Sequence, residues 1–303
     1  MPQSLVAFII LFLGAAFLRA FNVLNRSHAE RLASLVFSIS LPSTILVSLD
    51  SIEFAPTAWK VPLAASLVTL PMLLVTWRVA DLLQLPRATR GGVLLGTGCI
   101  NSVYFAYPVV LATLGKAGLA QAILFDLGQT MLTLTLLYAV ALWHGASPAP
   151  GGSVMHRFLT APPLWALAAI LVVKLFGLRL PELLLEFLQP LHLTTTPLAS
   201  LVLGLSITVT GRSTLGLAAL GVVLRMAGGM LLGVAAAGIL DLQGLERVVV
   251  IVVAGMPSAV TAVIFAAEAG LDEELVASIV ALSVAVGVAV LPWLPQFTNW
   301  LAG

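Results

Sequence analysis

Two apolar stretches of this chain carry residues that a continuous membrane helix does not favour. One reads Gly96-Thr-Gly-Cys-Ile-Asn101-Ser-Val-Tyr-Phe-Ala-Tyr-Pro108, the other Val253-Ala-Gly-Met-Pro257-Ser-Ala-Val-Thr261. Gly, Asn and Pro at mid-depth leave backbone hydrogen bonds unmade, and lipid offers no replacement. The breaks must therefore face protein or a water-filled cavity. A half-helix that starts after a break presents up to four unpaired N–H groups and about half a positive charge. Two such ends meeting in the membrane can hold a carboxylate without help from a buried Lys or Arg. Pro loses nothing in the first turn of a new half-helix, because its missing N–H would be an orphan there. The substrate-binding candidates are Asn101, Ser102, Tyr104, Pro108, Pro257, Ser258 and Thr261. Asn101 can donate and accept, so it suits both substrate oxygens and freed main-chain groups. The hydroxyls can serve as donors or bond back to their own helices.

Four further residues are candidates for proton or ion coupling: Asp126, Gln129, Arg225 and Glu268. Asp126 falls deep in an apolar stretch, where a carboxylate is costly and points to function. Gln129 is one helical turn away on the same face. Arg225 is the basic residue placed deepest in a span, suited to attracting an anion or neutralising a carboxylate. Glu268 follows the second break by about three helical turns. It suits either a cation site or a solvated helix end beside Asp272, Glu273 and Glu274. His28, His144, His156 and His192 are dispersed and show no ligand spacing, so no metal is expected. Nor is any cofactor, with proton or sodium coupling left open. The Thr194-Thr-Thr-Pro197 stretch after His192 reads as a local kink.

The elements that must position these groups are membrane helices. Hydrophobic residues make up 60% of the 303, charged residues 9%, and mean hydropathy is +1.10. Apolar runs of about 20 residues recur along the chain. Ten spans are expected, at roughly 4–22, 30–49, 57–80, 90–113, 117–144, 158–176, 186–209, 213–239, 246–267 and 273–297. The first is expected to be a true span rather than a cleaved leader, since Arg19 follows the apolar run instead of preceding it. A net charge of +1 with no basic patch speaks against nucleic acid. The single Cys99 excludes an internal disulfide.

With the N-terminus outside, the inner loops and span ends hold Arg19, Arg26, Arg31, Arg78, Arg87, Arg90, Arg157 and Arg212. The outer ones hold Lys60, Lys116, Lys174, Arg179 and Arg247. That bias places both termini on the outer, periplasmic side of an inner (plasma) membrane. Trp59, Trp77, Trp143, Trp293 and Trp300 fall near span ends, as interfacial anchors do. Small-residue steps such as Gly92-x-x-x-Gly96 and Gly229-x-x-x-Gly233 allow close helix approach, and a homodimer is left open.

The hydrophilic linker 145–157 separates a first repeat, 1–144, from a second, 158–303. Five spans on each side force opposite entry into the membrane, which makes an inverted repeat. Leu41-Pro42-Ser-Thr-Ile-Leu-Val-Ser-Leu49 resembles Thr196-Pro197-Leu-Ala-Ser-Leu-Val-Leu-Gly204. Asn101 follows Pro42 by 59 residues, and Pro257 follows Pro197 by 60.

Asn101-Ser-Val-Tyr-Phe-Ala-Tyr-Pro108, Leu114-Gly-Lys-Ala-Gly118 and Phe125-Asp126-Leu-Gly128-Gln129 resemble spans four and five of the auxin efflux carrier family. Met256-Pro257-Ser-Ala-Val-Thr261, Ala267-Glu268-Ala-Gly270-Leu-Asp272 and the run from Ser283 to Pro292 resemble its last two spans. The resemblance implies two inverted five-span repeats in a fold shared with bile-acid/sodium symporters, with spans four and nine broken and crossing. It implies transport of small organic anions, auxin in plants and dicarboxylates in bacteria. It also implies an elevator motion of spans three to five and eight to ten against a scaffold of one, two, six and seven. The short linker matches the bacterial-type branch. Two departures stand out: Gln129 occupies a position where the family often has Asn, and the second crossing offers Ser258 and Thr261 where some members have Asn.

An intramembrane enzyme is the competing class. The chain has no His-Glu-x-x-His, no Gly-x-Ser-x-Gly and no nucleotide-binding loop, and Asp241 lies at a span end, away from Asp126. A ligand sensor without flux and a sodium-coupled symporter of the bile-acid type are the remaining alternatives. The expected partners are a small organic anion and membrane lipid.

Overall fold

The computed structural model describes residues 3–51, 57–145, 160–206 and 215–302. The linker 145–157, apart from Gly145, lies outside them, as do His156, Arg157 and Arg212. The described chain is all-helical: α1 (Gln3–Ala20), α2 (Arg26–Leu35), α3 (Leu41–Asp50), α4 (Lys60–Leu82), α5 (Arg87–Gly98), α6 (Tyr107–Leu132), α7 (Tyr138–His144), α8 (Pro162–Leu175), α9 (Glu182–Leu193), α10 (Thr195–Ser206), α11 (Leu215–Val223), α12 (Gly229–Ile239), α13 (Gly244–Ala254), α14 (Val260–Ala269), α15 (Glu273–Val290) and α16 (Leu294–Ala302). Wider π turns join α2 to α3, lead into α6, join α6 to α7 and join α11 to α12. Six described stretches are long and apolar enough to cross a membrane: Gln3–Ala20, Ser27–Asp50, Lys60–Leu82, Ser102–His144, Leu215–Ile239 and Glu273–Leu301. The protein is a polytopic membrane protein.

Ser102–His144 is 43 residues long. A straight helix of that length would measure about 65 Å, twice a bilayer core. Gly115 resolves the excess: its φ of 70° and ψ of −168° break the helix there. Only glycine enters that region without strain. Gly270, with φ 69°, ends α14 in the left-handed conformation, where its N–H and that of Leu271 return to Ala267 O and Ala266 O. Asp272 then caps α15 by accepting from Leu275 N at 3.1 Å, and Glu273 and Glu274 favour the positive helix start.

The chain forms two compact units that interleave in sequence. Unit 1 comprises Met1–Ala58, Val103–Ile123 and Ser153–Ile207; unit 2 comprises Trp59–Ser102, Leu124–Gly152 and Thr208–Gly303. In unit 1, α1 packs along α10. Leu5, Phe8, Phe12 and Ala15 supply the buried face of α1 at helical spacing. A Cβ on Gly204 would strike Phe12 O and Ala15, so the bare glycine sets how near these helices lie. Leu191 to Thr195 does form a kink, and it carries more than that. Ser40 Oγ meets Thr194 Oγ1 at 2.7 Å, Thr44 Oγ1 meets Thr195 Oγ1 at 2.7 Å, and His192 Nδ1 meets Thr44 Oγ1 at 3.2 Å. Hydroxyls in or just ahead of the two similar Pro-containing segments thus join one neighbourhood to the other.

In unit 2 the residues from Val248 to Ala254 of α13 are all buried. A helix apolar on every face belongs at the centre of its unit. Gly128 lies against Pro62 O of α4. Lys60 Nζ donates to Leu240 O at 2.8 Å, a cation at the C-terminal end of α12.

Candidate functional site

The unwound residues of both interruptions, 99–101 and 255–259, lie within unit 2, and they bind each other. α5 stops at Gly98, and Cys99 is extended (φ −86°, ψ 122°). α13 stops at Ala254, and Ala259 is extended (φ −83°, ψ 145°) before α14 begins. Between these ends Ile100 and Ser258 form an antiparallel bridge. Asn101 N donates to Pro257 O at 2.9 Å, and Ala259 N donates to Cys99 O at 3.1 Å. Ser258 N donates to Ser283 Oγ at 3.0 Å. The unwound main chain repairs itself by pairing the two breaks, which lipid would not permit for either alone.

The carbonyl ends of the two half-helices are served by side chains. Arg225 Nη1 donates to Thr97 O at 2.6 Å, and its Nη2 donates to Ala254 O. Gln129 Nε2 donates to Gly98 O at 2.8 Å, while Gln129 Oε1 accepts from Thr69 Oγ1 at 2.6 Å. Arg225 has 0% exposure and sits in the π turn Leu224–Gly228. Such turns recur at functional positions because they redirect a side chain out of helical register. A planar guanidinium suits the task, since its fork reaches two acceptors at once.

Other groups at the bridge are under-satisfied. Ser102 Oγ and Ser258 Oγ are buried and have no hydrogen-bond partner. A buried hydroxyl left so costs about 1–3 kcal/mol, and such exceptions call for a reason. Asn101 is 2% exposed, and its Nδ2 makes one long bond, to Ser258 O at 3.4 Å. α14 begins beside these groups, with its first N–H groups directed back toward the break. Thr261 lies half-buried in that first turn.

The structure therefore brings together Asn101, Ser102, Pro257, Ser258, Gln129 and Arg225, with Thr261 one turn away. Tyr104, half-buried, and Pro108, buried, belong to unit 1. Asp126 is half-buried on α6, and Glu268 is half-buried near the end of α14, ahead of Gly270. Thr69, Thr97 and Ser283 also serve the break, and sequence reasoning missed them. Their signal was faint, because hydroxyls in apolar helices usually bond to their own backbone. Thr97 Oγ1 does so, to Val93 O at 2.9 Å, and also meets Thr76 Oγ1 at 3.0 Å.

Gln129→Leu removes the donor to Gly98 O and the acceptor of Thr69 at one stroke. The expected loss is roughly 2–4 kcal/mol for two stranded groups, read as a lower Tm of the purified protein in detergent. A variant as stable as the parent would mean that the amide is dispensable to the break.

The comparisons with known proteins agree with a transport role. The family described as membrane transport protein matches residues 3–295. An uncharacterised transporter of Methanocaldococcus jannaschii is 27% identical over 290 residues, covering 91% of this chain and 92% of its own. An uncharacterised transporter of Methanothermobacter thermautotrophicus is 27% identical over 302 residues, covering 96% of each. With a match that runs from α1 to the start of α16, the chain belongs to the auxin efflux carrier family of membrane transport proteins, and it is a transporter rather than an enzyme.

Proposed function

We propose that the protein is a secondary active or facilitative carrier of a small organic anion, a dicarboxylate or auxin-like acid. The carboxylate docks at the paired breaks by an elevator-type alternating-access cycle. The observation that carries this reading is the pair of orphaned hydroxyls, Ser102 Oγ and Ser258 Oγ, beside Asn101 and the start of α14. They are donors without acceptors, next to a helix end that favours negative charge. An arriving carboxylate supplies the missing acceptors.

Further support comes from the two compact units. Unit 2 holds the helices assigned to spans three, five, eight, nine and ten and the first part of four; unit 1 holds spans one, two, six and seven. That division follows the transport and scaffold assignments except for 103–123, which groups with unit 1. Ten spans in two inverted repeats, with both termini on the periplasmic side of the inner membrane, complete the proposal.

Flux of labelled mono- and dicarboxylates into proteoliposomes tests it. Ser258→Ala and Ser102→Ala remove hydroxyls that no protein group satisfies, so Tm should hold or rise. Anion flux should fall by about tenfold for one lost hydrogen bond to a charged group. Saturable flux that ignores both substitutions would place the carboxylate elsewhere, and the absence of flux for every acid would remove the carrier reading.

A further inference from the structure

Arg225 is a buried cation with no acidic partner among the described residues. Its exposure is 0%, and among the described residues no carboxylate pairs with it; Arg90 of the same unit, by contrast, pairs with Asp81 at 2.7 Å. What balances Arg225 is main chain. Thr97 O and Ala254 O belong to the last turns of α5 and α13. Each helix end carries about half a negative charge, so two converging ends supply about one. Such ends, with unwound carbonyls, are where carriers built on broken helices seat a coupling cation.

Here the seat is taken. Gly229, one turn beyond Arg225, leaves room for the guanidinium, since a Cβ there would overlap both Arg225 Nη2 and Ala254 O. Gln129 claims the neighbouring Gly98 O with an uncharged amide. The three carbonyls Thr97 O, Gly98 O and Ala254 O therefore already have protein donors. Arg225 stays protonated at any physiological pH.

We propose that Arg225 is a tethered replacement for a mobile coupling cation: it loads the paired helix ends permanently and makes transport at this crossing independent of sodium. Arg225 acts as a positioning residue, holding the break in its substrate-ready shape without touching the anion. This inference rests on the carrier reading above, and its experiment includes an arm that needs no substrate.

Full-length protein is purified in detergent, and its Tm is measured in sodium, potassium, choline and low-millimolar guanidinium chlorides at fixed ionic strength. The parent protein should show one Tm in sodium, potassium and choline. Arg225→Ala should melt lower and should regain about 2–4 °C in sodium or guanidinium over choline, as a small cation refills the vacated seat. Arg225→Lys keeps a tethered charge and should remain indifferent to sodium. In proteoliposomes, anion flux by the parent should be equal in sodium and choline, while Arg225→Ala should run about tenfold faster in sodium, within the usual range of ligand coupling. A parent protein stabilised or accelerated by sodium overturns the proposal. So does an Arg225→Ala protein that no small cation restores. Should Arg225→Ala fail to fold in every salt, sodium-stabilised Arg225→Lys would count against it and sodium-blind Arg225→Lys for it. If no anion is carried by the parent, the carrier reading fails, while the Tm measurements still decide the role of Arg225.

Discussion

Gly229→Val is expected to yield little or no monodisperse protein. Its first added carbon would overlap Ala254 O and Arg225 Nη2. Neither can yield cheaply: one is main chain at the end of α13, and the other is a guanidinium held at both terminal nitrogens. Moving the guanidinium strands a buried charge, which costs about 3–5 kcal/mol when a partner is lost. Forcing extra carbon into a packed site costs roughly another 1–3 kcal/mol. Together these approach the entire stability of an ordinary domain, about 5–15 kcal/mol. Gly238 supplies the control, because it lies on the same helix with nothing within 4 Å of its missing Cβ. Gly238→Val should express and melt much like the parent. Fluorescence-detected size exclusion and Tm of the two variants check the contrast, and similar behaviour of both would show that the Arg225 contact is soft.

Asn101→Ala should separate function from folding more sharply than any other substitution. The side chain contributes a single bond at the long limit, 3.4 Å to Ser258 O. The bridge at this residue runs through its main-chain N–H to Pro257 O, which alanine retains. Stability should therefore change by no more than about 1 kcal/mol. If the amide binds a carboxylate, its loss removes roughly 1.5–3 kcal/mol, a ten- to hundredfold loss of affinity. The measurements are Tm and the concentration dependence of flux. A lowered Tm with unchanged affinity would assign Asn101 to backbone repair alone.

The breaks were legible because Gly98, Asn101, Gly255 and Pro257 are conspicuous within apolar runs. The helical stretches were legible because hydropathy and length are nearly sufficient in a bilayer. The partners of the breaks were not. Arg225 and Gln129 bind main-chain carbonyls, and a carbonyl has no side-chain signature to pair with in a sequence. In the sequence their chemistry and depth point only to ion coupling. In the sequence Gly229 is only part of a small-residue step, whereas its neighbour in the fold is a specific guanidinium. The compact units were legible only through the family resemblance, whose transport and scaffold spans they follow except at 103–123. They group segments far apart in the chain, whereas the linker suggested a division into consecutive halves. Such grouping depends on which faces pack, and helices apolar all round do not advertise their faces.

The bridge between Ile100 and Ser258 has a consequence for how the protein is made. Asn101 and Ser258 are 157 residues apart. At about 5–20 residues per second, a ribosome needs roughly 8–30 s to synthesise the second strand after the first. If the earlier segment enters the bilayer at once, the amide of Asn101 and the carbonyl of Cys99 go without these partners throughout that interval. An N-terminal fragment made alone would be held in that condition indefinitely. A first break that is sheltered by protein, or held back from lipid until the second arrives, avoids that cost.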